Sequence, residues 1–253
     1  GEVHASPSDI TEIGTKILKE NPDHPGSLGI AISEGLEYAE KHKGFVYCLG
    51  SVLNHVLMHQ TVIGLETIKQ FDISGEQPDL MIGCFGGGSN FGGFTLPFIG
   101  EVLKGKRKCE FLAAQSLSAP NISQGEYRYD FADHAGKTPL LKMYTLGHTV
   151  DMPPIFGDGL RYSGAAPILS LLRKLGYIRT KTYPINEKAV FEAARTFLQT
   201  EGFLPAPESS YAVRAMIDEA LRCKQIGEEK VLACNLSGHG FLDILGYKKV
   251  LNL

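Results

Sequence analysis

The stretch from Leu80 to Gly93 (LMIGCFGGGSNFGG) constrains the fold most, because it joins a short apolar run to a cluster of glycines. The apolar run predicts a buried strand, and the apolar segment that follows, ending near Gly105, predicts a helix. Backbone N–H groups in such a glycine turn converge on an anion, and the helix N-terminus adds partial positive charge. We therefore predict a phosphate site. Its residues are Gly86, Gly87, Gly88, Ser89 and Asn90.

Two familiar phosphate motifs do not fit this loop. It lacks the Gly-Lys-Ser or Gly-Lys-Thr of a nucleoside-triphosphate loop, and Phe91 stands where a dinucleotide fingerprint has its third glycine. The phosphate would be held by Gly, Ser and Asn groups without a lysine. A glycine-rich connection between strand and helix that binds nothing remains the alternative.

Composition narrows the class of partner. The 253 residues are 43% hydrophobic and 21% charged, which is enough for a large core. The net charge of −3, with mixed signs, offers no basic stripe for nucleic acid, and no apolar stretch approaches a membrane span. Five cysteines without a Cys-x-x-Cys pair indicate reduced thiols in a cytoplasmic protein. We therefore expect a cytoplasmic protein with a small-molecule partner.

Helix and strand patterns alternate along the chain. This alternation predicts an α/β fold: a mainly parallel sheet covered by helices on both faces, with ligands at the carboxyl ends of the strands. Residues 118–137 look irregular, and 140–164 hold too many breakers for one regular element. Helices are predicted at 10–20, with Ser8 or Asp9 as N-cap, and at 28–43, 52–71, 168–175, 188–200 and 211–225; strands are predicted at 45–50, 80–85, 109–116 and 230–236.

Two further polar residues stand at element ends. Ser237 follows the predicted strand at 230–236, at the sheet edge where the glycine loop also lies. Glu208 stands near a helix start beside Ser209 and Ser210, where helix capping is the simpler interpretation. Alone, Ser237 would be an ordinary turn residue.

Several motifs in fixed order resemble the β chain of tryptophan synthase, most closely its longer, β-like branch. The match runs nearly end to end. It is carried by HQTVIGLE at 59–66, GGGSN at 86–90, TPLLKMYTLGH at 138–148, GLRY at 159–162, EG followed by PAPES at 201–209, and NLSGHG at 235–240.

The resemblance implies a fold-type-II pyridoxal-phosphate enzyme, a lyase that condenses indole with L-serine to give L-tryptophan. The glycine loop would hold the cofactor phosphate, and Ser237 would hydrogen-bond the pyridine nitrogen. Glu208 would lie near the indole site, and Ser51 in the loop under the cofactor. The resemblance also implies a monovalent cation on backbone carbonyls near Gly86 and at 161–163, but no metal site built from side chains.

One departure concerns Arg161, where the ordinary β chain has an aspartate. We hypothesise that Arg161 is a catalytic-site residue that binds an anionic leaving group, so that O-phosphoserine is preferred over serine. The alternative is a structural salt bridge across the long loop.

The second departure is the family's Schiff-base lysine, which has no counterpart in this chain. The sequence therefore corresponds to roughly the last three-fifths of the family pattern. We predict the remainder of the N-terminal, communicating domain at 1–72 and a cofactor-phosphate domain at 73–253. The expected partners are a second copy in a homodimer, a tryptophan synthase α chain, and an N-terminal half in trans that supplies the lysine.

Two other functions stay open. The scaffold could support another fold-type-II reaction, such as a deamination or a different β-replacement. Alternatively, the polypeptide is a C-terminal piece that binds phosphate or a partner chain without chemistry. The missing lysine is the feature that distinguishes this non-catalytic alternative.

Overall fold

The computed structural model describes residues 1–253. Its helices are α1 Glu12–Glu20, α2 Leu28–Lys41, α3 Asn54–Ser74, α4 Ser89–Leu103, α5 Asn121–Gln124, α6 Pro167–Lys174, α7 Lys188–Glu201, α8 Pro207–Ile226 and α9 Ile244–Leu251, with a 3-10 turn at Asp158–Leu160. Its strands are β1 Leu80–Cys84, β2 Glu110–Ser116, β3 Glu126–Phe131, β4 Leu140–Thr145, β5 Ile178–Tyr183 and β6 Leu232–Cys234.

Four parallel strands form the central sheet in the order β5-β2-β1-β6. In the register, Leu80 of β1 lies opposite Glu110 of β2 and Leu232 of β6, and Phe111 of β2 lies opposite Ile178 of β5. All five residues of β1 are buried, as expected for a central strand covered on both faces. The carboxyl ends of β1 and β6 therefore meet at one edge of the sheet.

Helices pack on both faces of this sheet, and the side chains of β1 alternate between two cores. Met81 packs with Phe91, Phe94 and Leu169 on the face covered by α3, α4 and α6. Leu80 and Ile82 belong to the opposite core, which includes residues of α7, α8 and α9. The predicted α/β class with a parallel sheet covered on both faces is confirmed.

Most predicted elements are present, with shifted ends. The helix at 10–20 begins at Glu12, and its N-cap is Thr11, which accepts a hydrogen bond from Gly14 N. The predicted N-caps Ser8 and Asp9 are therefore wrong. The helix at 211–225 begins earlier, at Pro207, because proline suits the first helical position. Residue 72 lies inside α3, and the division into domains at this point stays a prediction.

The strand predicted at 45–50 is wrong. This segment has no regular structure, and the side chains of Phe45 and Val46 are exposed. An extended segment needs a neighbouring strand for its backbone groups, and none of the six strands pairs with it. Two regions contain more order than predicted: β3 and β4 form an antiparallel hairpin, and β5 is an edge strand.

None of the nine helices combines the length and the apolar character that crossing a bilayer requires.

Candidate functional site

A cavity of about 520 Å³ opens at the carboxyl ends of β1 and β6. Every site residue predicted from the sequence lines it, with the exception of Arg161. These residues are Ser51, Gly86, Gly87, Gly88, Ser89, Asn90, Glu208 and Ser237. A larger hollow of about 630 Å³, between the N-terminal segment and α2, has a mostly apolar lining and contains none of them.

The glycine loop leaves its backbone N–H groups available. Gly88 is the N-cap of α4 with φ 99°, and no side chain caps the helix. The N–H groups from Gly86 to Asn90 donate to no acceptor in the chain, as expected where the first helical turn awaits a ligand. A Cβ on Gly88 would lie 2.7 Å from both Phe85 and Leu169. The loop therefore has the open N–H groups expected of an anion cradle, and Gly88 has no room for a side chain.

The opposite side of the glycine loop contacts a strained residue. Val52 has φ 60° and is fully buried, although a β-branched residue strongly disfavours this conformation. A Cβ on Gly87 would lie 2.9 Å from Val52 and 3.6 Å from the Ser51 hydroxyl. The strained turn therefore holds Ser51 against the glycine loop.

Ser209 fixes the direction of the Ser237 hydroxyl. Its Oγ accepts hydrogen bonds from the N–H groups of Ser237 (3.2 Å) and Gly238 (3.1 Å) and lies 2.8 Å from Ser237 Oγ. Because a hydroxyl has two acceptor lone pairs and one hydrogen, Ser209 must donate to Ser237. The hydrogen of Ser237 can then be donated to Cys84 Sγ, 3.7 Å away, or to an acceptor in the cavity.

Cys84 is a neutral neighbour of this pair. Its Sγ lies 3.7 Å from Ser237 Oγ and 3.6 Å from Asn90 Nδ2. Burial raises the pKa of the Cys84 thiol to about 11, so it stays protonated at neutral pH and is a poor nucleophile. Cys84 therefore contributes to the wall and adds no charge.

Two carboxylates hold the loop at 156–164, here called the far loop, which forms the far side of the cavity. Glu208 accepts a hydrogen bond from Gly159 N (2.9 Å), so its side chain reaches across to another segment and does not cap its own helix. Glu187 accepts from the N–H groups of Phe156 (2.6 Å) and Gly157 (3.0 Å). Burial raises the pKa of Glu187.

Three residues that organise this site were not predicted from the sequence: Ser209, Glu187 and Asn121. In the sequence, Ser209 is notable only as a neighbour of Glu208, and that position is the one signal that could have identified it. Glu187 and Asn121 carry no local signal. Asn121 is fully buried and donates to carbonyl groups of both the glycine loop and the far loop.

Arg161 does not face the cavity. Its side chain is buried, donates to the carbonyl of Gly26, and pairs with Asp158 at 2.9 Å. These contacts agree with the alternative interpretation, in which Arg161 makes a structural salt bridge. None of these contacts supports the prediction that Arg161 is a catalytic-site residue.

Comparisons with known proteins agree with this geometry. Residues 10–238 match the family model described as "Pyridoxal-phosphate dependent enzyme". "Tryptophan synthase beta chain 2" of Methanothermobacter thermautotrophicus is 55% identical over 247 residues, covering 98% of this chain and 57% of the relative. The protein of the same name from Aquifex aeolicus is 54% identical over 255 residues, covering 100% and 58%.

A solved structure shows the same fold. The fungal L-serine ammonia-lyase from Rhizomucor miehei superimposes with a TM-score of 0.59 at 14% identity, covering 85% of this chain and 63% of that one. The chain thus belongs to the family of pyridoxal-phosphate-dependent enzymes, with the fold-type-II architecture. It is similar to tryptophan synthase β chains and spans a little over half the length of these relatives.

The residues present fit the phosphate end and the ring nitrogen of this cofactor. The cradle offers open N–H groups in a space that a Cβ would fill, and Ser237 offers a directed hydroxyl. No lysine is among the residues that line the cavity.

Proposed function

We propose that this chain forms part of a tryptophan synthase β-type lyase, which condenses indole with L-serine to give L-tryptophan and water. The observation that carries the proposal is a single cavity that unites the anion cradle, the Ser237 hydroxyl and the Glu208 carboxylate. The names of the relatives at 54–55% identity support the same reaction.

The cradle from Gly86 to Asn90 would bind the cofactor phosphate through backbone N–H groups and the positive end of α4. When bound, pyridoxal phosphate withdraws electrons from the amino acid, so that the β-hydroxyl of serine can leave. The cradle has no cation of its own among its five residues, so directed N–H groups supply the attraction.

Ser237 would donate its hydrogen to the pyridine nitrogen. A neutral hydroxyl favours the unprotonated ring and therefore a weaker electron sink than a carboxylate would give. A weaker sink suits elimination from the β-carbon. Ser209 acts as a positioning residue, because its own hydrogen is committed to Ser237.

Glu208 would stabilise the positive charge that develops on indole when its C3 attacks the β-carbon. Its carboxylate is oriented by Gly159 N and is half-buried beside the cavity. The atoms balance: serine loses its hydroxyl, indole loses the hydrogen on C3, and the two leave as water.

We propose L-serine as the amino-acid donor and keep O-phosphoserine as a second arm of the test. The only residue that favoured the phosphorylated donor was Arg161, and its guanidinium is engaged with Gly26 and Asp158.

The other partners are also proposals. The cofactor-linking lysine would come from polypeptide outside residues 1–253, because none of the lining residues is a lysine. The resemblance supports a homodimer and an α chain that delivers indole. The free cysteines support a cytoplasmic location.

The proposal is tested with the cofactor-loaded protein, including the polypeptide that supplies the lysine. It is given serine or O-phosphoserine, with and without indole, while tryptophan and pyruvate are measured. We expect tryptophan that depends on indole. Glu208→Gln should lower its kcat by about 100-fold while cofactor binding is retained. Pyruvate without tryptophan would identify a deaminase, and failure to bind the cofactor would support the non-catalytic alternative.

A further inference from the structure

Three backbone carbonyl oxygens converge on one side-chain nitrogen behind the glycine loop. Asn121 Nδ2 lies 2.8 Å from Gly86 O, 2.8 Å from Tyr162 O and 2.9 Å from Gly164 O. Asn121 is fully buried. The three carbonyls come from two loops that are far apart in the sequence, so the amide group joins the glycine loop to the far loop.

The orientation of the amide is determined by its other end. Asn121 Oδ1 accepts hydrogen bonds from Ile122 N (2.6 Å) and from Gln115 Nε2 (2.8 Å). A flipped amide would place oxygen against three carbonyl oxygens and nitrogen against two donors. The nitrogen therefore faces the three carbonyls.

The number of acceptors does not match the number of hydrogens. An amide nitrogen carries two hydrogens, whereas three carbonyl oxygens surround it. Buried carbonyl oxygens that point at one position form the kind of ligand set that hard cations take. Here the partial positive charge of an amide group fills that position, so the carbonyls at Gly86 and Tyr162 have no room for the expected monovalent cation.

We propose that the Asn121 amide is a built-in substitute for an alkali cation, and that removing it converts the three carbonyls into a site for K⁺ or Na⁺. The amide holds the peptide group of Gly86, the first residue of the cradle, and thereby sets the direction of the N–H groups that follow. The native protein consequently keeps its cradle in shape without an ion.

Thermal unfolding of the full chain without cofactor tests the proposal. Tm is measured in chloride salts of Na⁺, K⁺, Cs⁺ and tetramethylammonium, at an equal ionic strength of about 0.1 M so that screening is the same. The native protein should give one Tm in all four salts. Asn121→Ala should melt about 5 °C lower in tetramethylammonium chloride and recover, in a saturable way, as KCl or NaCl is added.

Two further variants sharpen the result. Asn121→Asp keeps the shape but points a carboxylate oxygen at the carbonyls, so its dependence on an alkali cation should be stronger. Asn235→Ala is the control, since Asn235 Nδ2 donates to a side chain, Asn90 Oδ1, and not to converging carbonyls. It should respond equally to all four salts.

Two outcomes would overturn the proposal: a rise in native Tm that is specific to one alkali cation, or Asn121 variants that respond alike to all salts. If Asn121→Ala is not obtained in folded form, its refolding from denaturant is measured in each salt. Folding in KCl but not in tetramethylammonium chloride supports the proposal, and folding in neither contradicts it. The test uses neither cofactor nor turnover, so the proposed function can fail separately.

Discussion

The two sides of the cavity are built in opposite ways. The glycine loop leaves its N–H groups open. In the far loop, at 156–164, side chains from distant elements engage the backbone: Glu187 and Glu208 accept its N–H groups, and Asn121 donates to its carbonyls. The first side has donors without a partner in the chain, whereas the backbone of the second side is bonded to side chains of the protein.

The largest effect is expected from Gly88→Ala. A left-handed φ of 99° and contacts of 2.7 Å would destabilise the fold by about 3 kcal/mol and abolish the cradle. Denaturant unfolding and phosphate or cofactor titration measure both losses. Gly100→Ala, on the same helix with no atom near its Cβ position, should be neutral or stabilising by about 0.5–1 kcal/mol. Equal behaviour of the two variants would contradict the requirement for glycine at position 88.

Glu187→Ala should destabilise the protein by about 2 kcal/mol, because it leaves two N–H groups of the far loop without an acceptor. Glu187 also has φ 51°, so Glu187→Gly relieves strain while it removes the same carboxylate. Chemical denaturation should give a higher unfolding free energy for Glu187→Gly than for Glu187→Ala. Glu192→Ala, on the same helix, is the control and should change stability by less than about 0.5 kcal/mol.

The pH dependence of Glu187→Gln provides a second measurement. A carboxyl group whose folded pKa is raised favours folding at low pH, and this contribution is lost as the pH rises from the ordinary value of 4.5 through the folded pKa. Glutamine lacks this titration. The unfolding free energy of Glu187→Gln, relative to the native protein, should therefore improve as the pH increases above 4.5. A flat difference would mean that the Glu187 pKa is not raised.

Ser209→Ala should weaken cofactor binding about 5–10-fold, because the Ser237 hydroxyl loses its fixed direction. The ¹⁵N signal of labelled pyridine nitrogen should shift as well. Ser210→Ala is a matched control, since the Ser210 hydroxyl bonds to Ala206 O and Tyr247 and not to Ser237. In a Ser237→Ala background, Ser209→Ala should have little further effect on the signal. A fully additive effect would indicate that Ser209 only anchors the loop.

The smallest effect is expected from Arg161→Ala, on the preference for serine or O-phosphoserine as the amino-acid donor. Since the guanidinium is engaged with Gly26 and Asp158, the ratio of turnover with serine to turnover with O-phosphoserine should change by less than about twofold. Steady-state kinetics with both donors measures the ratio. A selective loss of O-phosphoserine use, at least tenfold, would return Arg161 to the substrate site.

The side with open N–H groups could be predicted from the sequence, whereas on the far side only Glu208 could. Gly86–Gly88 and Ser237 stand directly after apolar strands, so local pattern and the rule for parallel sheets suffice. The Asn121 side chain donates to carbonyl groups that lie 35 to 43 positions away in the sequence, and no local pattern predicts such contacts. The strand β5 was missed because Arg179 and Lys181 interrupt its apolar pattern at the sheet edge. The segment at 45–50 was predicted as a strand from its apolar residues alone.

The pairing of β6 with β1 has a consequence for synthesis of the protein. Leu232 pairs with Leu80, and Val231 N donates to the carboxylate of Asp79, which lies 152 positions earlier in the sequence. A ribosome therefore completes the glycine loop long before Ser237 emerges, and such distant pairing is slow to form. The residues proposed to bind the cofactor phosphate are therefore translated well before Ser237, the residue proposed to contact the ring nitrogen.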